Sequence, residues 1–178
     1  NTVMQTGYSL VDGGSPVAPA GAFTLATEQA TTSGDDKLFT GIPSGTKLIF
    51  VLCNEVSGSG ASDVINVVIG DAGGLETSGY VSTGMRFHSD DTSESGTDTA
   101  SFRTRVYGAS QAFSGMFILA LEDAANNTWI QLTAGKESTT QVQVCGGSKS
   151  LSGELTQLSF KLDSADDFDA GAVNILYS

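Results

Sequence analysis

The stretch Gln157-Leu158-Ser159-Phe160-Lys161-Leu162 decides the fold class. Leu158, Phe160 and Leu162 alternate with Gln157, Ser159 and Lys161. A period of two is the signature of a strand with unlike faces. The same alternation occurs at Gln141, Val142, Gln143 and Val144, and again at Val173, Asn174, Ile175, Leu176 and Tyr177. In each segment one face is wet and the other packs on a second sheet.

Working outward, further strand-like runs cover 22–27, 37–40, 46–56, 64–69, 79–87, 102–107, 113–121 and 128–132, punctuated by Gly, Asp, Ser and Asn. Residues Leu48, Ile49, Phe50, Val51 and Leu52 are contiguous and apolar, which predicts burial on both faces or a central strand at an interface. About ten strands without an amphipathic helix predict an all-β chain, a β-sandwich of jelly-roll type over residues 22–178. Residues 1–21 are small, polar and spaced by Gly and Pro, and read as a short N-terminal arm.

Composition narrows the function. The 178 residues include 22 Gly, 22 Ser and 19 Thr, with 8 Lys+Arg against 20 Asp+Glu, a net charge of −12. So anionic a chain lacks the cations that would neutralise a phosphate backbone, so nucleic acid is not an expected partner. No apolar run approaches the roughly 18 residues of a membrane span. Cys53 and Cys145 each fall in a strand-like run and read as buried free thiols.

Chemistry-bearing patterns are sparse. His88 is the single histidine, so a Ser–His–Asp system would have to run through it, and no Gly-x-Ser-x-Gly elbow is present. One histidine and two separated cysteines do not make a zinc site. No cofactor is expected. Asp90, Asp91 and Glu94 crowd one polar stretch, 89–101, and Asp163, Asp166, Asp167 and Asp169 crowd another. Neither has the spacing of a calcium loop, and solvated acidic turns are the plainer reading. Residues 89–101 lack large apolar side chains and read as a solvated loop or hairpin tip. Arg86, Arg103 and Arg105 flank them, placed to pair across the stem. Tyr80, Tyr107 and Trp129 are candidates for stacking on sugar rings, although their place in or beside strands also suits core packing. The candidate binding set is therefore Tyr80, Asp90, Asp91, Glu94, Tyr107 and Trp129.

Two stretches together carry a resemblance. The first is Phe39-Thr40-Gly41-Ile42-Pro43-Ser44-Gly45-Thr46-Lys47-Leu48-Ile49, continuing to Ile69-Gly70-Asp71-Ala72-Gly73-Gly74-Leu75-Glu76-Thr77-Ser78-Gly79-Tyr80. The second is Gly147-Ser148-Lys149-Ser150-Leu151-Ser152, then Leu155, then Asp167-Phe168-Asp169-Ala170-Gly171-Ala172-Val173-Asn174-Ile175-Leu176-Tyr177. In this order, with Asn126-Asn127-Thr128-Trp129 between them, they resemble a family of tailed-phage and prophage virion proteins. The chain departs from that pattern at Gly45, where a bulky or basic residue is usual, and at 156–160, where a basic run is usual. The resemblance implies a jelly-roll-like sandwich on the virion surface, a homotrimer in contact with other virion proteins of capsid or tail, and no enzymatic residues. Two roles fit. One is a capsid decoration, cement or head-fibre protein, and the other is a tail-fibre tip recognising a host surface glycan or protein. A polysaccharide depolymerase is a remote third. In such a scaffold the shared residues hold turns, and function falls to the loops, above all 89–101 and 108–112.

Overall fold

The structure, a computed structural model, describes residues 22–107, 111–163 and 165–178. The expected arm, residues 1–21, lies outside the described residues, as do the first three residues of the loop 108–112. No helix occurs among the described residues. The strands are β1 Thr24–Leu25, β2 Gln29–Ala30, β3 Asp36–Thr40, β4 Leu48–Gly58, β5 Ser62–Asp71, β6 Gly74–Leu75, β7 Val81–His88, β8 Ser93–Asp98, β9 Phe102–Tyr107, β10 Phe113–Asp123, β11 Thr128–Lys136, β12 Gln141–Ser150, β13 Gln157–Leu162 and β14 Phe168–Tyr177. Two antiparallel sheets form a β-sandwich. The nine-stranded sheet runs β1-β14-β4-β10-β11-β12-β7-β8, with β2 also on β14. The five-stranded sheet runs β3-β13-β5-β6, with β9 also on β5.

The stretch that predicted the fold lies at the centre of the smaller sheet. Leu158, Phe160 and Leu162 of β13 stand opposite Ile69, Val67 and Ile65 of β5, and all six are buried. Across the layer, Phe160 meets Phe117 edge to face at 6.3 Å and stacks on Phe168 at 5.6 Å. Such pairs add about 0.5–1.5 kcal/mol each beyond area burial. Ile49, Val51, Leu119, Val173 and Ile175 close the same core from the larger sheet.

Strand β4 is a central strand, between β14 and β10, and its contiguous apolar run is fully buried on one face only. Ile49 and Val51 are fully buried, while Leu48, Phe50 and Leu52 on the other face are half-buried. Phe23, which precedes β1, lies 5.8 Å from the Phe50 ring on that outer side. The stretch 89–101 also differs from a bare loop. Its middle is β8, an edge strand paired with β7 from Ser93↔Phe87 to Asp98↔Ser82. Apolar side chains are not needed for this pairing, because ladder hydrogen bonds and inward-turned polar groups supply the partners.

A third difference concerns sense rather than pattern. On β12 the alternation is present, but Gln143 is buried (2% exposed) and Val142 and Val144 are exposed (51% and 45%). Strands β11 and β7 do the same. Gln131, Thr133, Ser82 and Arg86 are buried, whereas Ile130, Leu132, Val81, Met85 and Phe87 face outward. At Gly147 the smaller sheet comes close: a Cβ there would stand 3.1 Å from the Phe102 ring, which leaves no room for a large side chain at that position. Gly84 is crowded from within its own sheet, by Cys145 on the neighbouring strand β12.

Candidate functional site

The antiparallel order gives the sandwich two unlike ends. One holds the starts of β4, β7, β11 and β13 and the finishes of β5, β10, β12 and β14. Every stretch that carries the sequence resemblance reaches this end. Lys149 Nζ donates to Glu76 Oε2 at 2.5 Å and lies 5.7 Å above the Tyr80 ring. The Ser152 hydroxyl is 2.8 Å from both Asp71 Oδ2 and Glu76 Oε1. Glu154 accepts from the Gly45 N–H at 2.5 Å and the Ser44 hydroxyl at 2.8 Å. Burial pushes the Glu76 carboxyl up, but Lys149 and Ser152 together outweigh it and hold the group below its ordinary range. These residues pin turns that are distant in sequence onto one another. Beside them a groove of about 300 Å³ is lined by Thr46, Lys47, Leu121, Asn127, Trp129 and Leu155.

The opposite end holds the acidic turns. Asp90 accepts from the hydroxyl and N–H of Thr92 at 2.6 and 3.1 Å, which lowers its carboxyl. Asp91 takes a left-handed φ of 65°. Glu94 does not join them, because it turns inward to pair with Arg86 at 3.0 Å. Among the described residues, no three His, Cys, Asp or Glu side chains are grouped to hold a metal ion.

The predicted aromatics separate too. Tyr80 and Trp129 are 2% and 1% exposed, so neither offers a ring face to a sugar. Tyr80 spends its hydroxyl on the Ile69 N–H, at 2.8 Å, and packs edge to face on Phe102 at 4.9 Å. Tyr107 ends β9 opposite Ser62. The six candidate residues therefore form no single site.

Between the sheets, below β7 and β12, lies a polar layer. Arg86 pairs with Glu137 at 3.4 Å, and Gln143 donates to Glu137 at 2.9 Å. The Thr104 hydroxyl donates to Gln143 at 2.6 Å. Burial raises the Glu137 carboxyl, opposed by Gln143 and Arg86. The space beside this layer measures about 10 Å³, room for a single water and not for a substrate. Burial likewise raises both thiols, Cys53 and Cys145, away from the reactive thiolate.

The largest unexplained feature is the outer face of β10, β11, β12 and β7. Register aligns its side chains in rows: Met116, Ala134, Val144 and Met85; Ile118, Leu132, Gly146 and Thr83; Ala120, Ile130, Ser148 and Val81. A further row joins Lys136, Val142 and Phe87. Charge appears only where strands finish. Glu122 stands near the end of β10, and Lys136 closes β11, paired with Glu55 at 2.7 Å. Sequence reading passed over these residues because apolar positions in strands look like core.

Compared with models of protein families, with curated proteins and with solved structures, the chain matches none.

Proposed function

We propose that the protein is a non-enzymatic structural component of the outside of a tailed-phage particle, working as a homotrimer. A capsid decoration, cement or head-fibre role is the leading form of this reading. The observation that carries it is the apolar outer face of β10, β11, β12 and β7, which bears charge only near strand ends, at Glu122 and Lys136. A chain of net charge −12 keeps the middle of this broad surface free of charge. Continuous apolar faces of that kind mark protein contacts, which is what a component of an assembly presents. The virion-family resemblance supplies the kind of assembly. Its stretches meet through Lys149, Glu76, Ser152 and Asp71, which pin turns together, and this supports reading them as scaffold. Imaging of intact particles tests the reading. Density for the protein at capsid threefold or quasi-threefold positions is the expected result, and its absence from the particle overturns it.

A tail-fibre tip that binds a host surface glycan or protein is the second reading. It is favoured by the gathering of the turns after β7, β11 and β13 at the end opposite the pinned one. Density confined to the tail tip would select it over the first.

A further inference from the structure

We infer that the apolar outer face of β10, β11, β12 and β7 is where copies of this chain meet, with Leu132, Val144 and Met85 near the centre of the contact. The inference rests on the homotrimer reading above and adds the surface and its occupant.

Area is the first argument. Val81, Met85, Phe87, Met116, Ile130, Leu132, Val142 and Val144 are each between 39% and 71% exposed. Eight large apolar side chains this exposed, adjoining one another across neighbouring strands, make a patch on the scale of the largest on a typical monomer, roughly 300–600 Å². The Ala134, Gly146, Thr83 and Ser148 positions between them bring the surface towards the ~800 Å² per partner of a stable protein contact.

Shape is the second. The field is four strands wide, about 15 Å from β10 to β7. A single extended segment laid along it covers one strand's width. Another sheet face covers all of it, because sheets stack face to face about 10 Å apart.

Charge is the third. Copies that each carry −12 repel wherever their charged surfaces approach. They close most readily where charge is missing, and among the described residues this field is such a place. Between its ends it offers Val, Leu, Ile, Met, Phe, Ala, Gly and small hydroxyls. It therefore lacks the amides and carboxylates that a glycan's hydroxyls require.

The inverted alternation is the fourth argument. Below these strands the inward side chains include Arg86, Glu137, Gln143 and Gln131, while the apolar set points out. Burial of the outer set in a contact restores to these strands the hydrophobic stabilisation that their inner face gives up.

Sedimentation of the purified full chain at micromolar concentration tests the inference. A trimer is expected for the unaltered protein. Leu132→Asp together with Val144→Asp should give a monomer that keeps its β circular dichroism and a cooperative urea transition. Val144→Cys provides an independent test should the double variant not fold. A short bis-maleimide should link copies through Cys at 144, and should not link them through Leu38→Cys on the outer side of the smaller sheet. A trimer that survives the aspartates, or that links at 38 and not at 144, overturns this assignment and leaves the trimer reading standing. A dimer dissolved by the aspartates supports the surface and counts against the trimer. A monomeric full chain overturns both. If its thiol at 144 also resists maleimide, the field belongs to residues 1–21 instead.

Discussion

Two halves of the nine-stranded sheet use one alternation in opposite senses. In β14, β4 and β10 the inward side chains are Val173, Ile175, Ile49, Val51, Phe117 and Leu119, all buried apolar groups. In β11, β12 and β7 the inward set includes Gln131, Thr133, Gln143, Ser82 and Arg86, and the exposed set is Ile130, Leu132, Val142, Val144, Val81, Met85 and Phe87. Both halves are continuous ladders with matched register. A period of two thus identifies a strand without saying which face is inside. The second half gives its apolar side to the exterior and ties much of its interior together with hydrogen bonds through Thr104, Gln143, Glu137 and Arg86, while Gln131 Oε1 and Trp129 Nε1 are buried without a partner among the described residues. Continuous apolar faces of this kind are the ones that protein contacts cover.

The comparison can be broken by charge. Leu132→Asp with Val144→Asp should abolish self-association in sedimentation, while Leu38→Asp on the smaller sheet should leave it unchanged. Equal effects would remove the distinction between the two outer surfaces.

Next in size are the two interiors. Phe117→Ala should cost about 3–5 kcal/mol in urea unfolding, the usual range for an aromatic removed from a close-packed core. Glu137→Ala should cost about 3 kcal/mol, because it strips a partner from a buried arginine. Glu94 remains beside Arg86 at 3.0 Å, which places the loss at the lower end of that range. A cost under about 1 kcal/mol would mean that the polar layer does not hold the second half together.

The pinned end should show itself through acid. The Glu76 carboxyl is held below its ordinary value of 4.5 by Lys149 and Ser152 against the opposing effect of burial. A depressed folded value means stability present above pH 4.5 and lost as pH falls through the folded pKa. Glu76→Gln should flatten that part of the profile, read as urea midpoints between neutral and acid pH. Glu137 works in the other direction, since its raised carboxyl makes stability fall as pH rises from the ordinary value. An unchanged acid limb in the Glu76 variant would show that the pin is ornamental to stability.

Smallest of all should be the rim. Lys136 and Glu55 are each about half exposed, so Lys136→Ala should shift stability by less than about 1 kcal/mol.

Much of the fold was legible. The run at 102–107 coincides with β9, and the run at 155–162 contains β13 and starts two residues before it, because the period-two alternation itself begins at Gln157. Strands β2 and β6 were not legible, since two-residue strands carry no periodicity. Neither was β8, whose residues Ser93, Glu94, Ser95 and Gly96 resemble a loop in composition. Its Glu94 belongs with Arg86, eight residues away, and that pairing follows from the hairpin and not from the acidic cluster in which it sits. Tyr80 and Trp129 were ambiguous for a plain reason. An aromatic with a polar atom suits either a binding surface or an interior with one hydrogen bond to offer.

The sequence by itself determined the all-β class, the sandwich and most of the longer strands, because local alternation and turn residues act over short distances. The tertiary structure alone decided which way each strand faces. That choice depends on what lies across the layer: Thr104 and Glu137 wait beneath β12 with hydrogen bonds for Gln143, so the glutamine goes in and Val142 and Val144 go out.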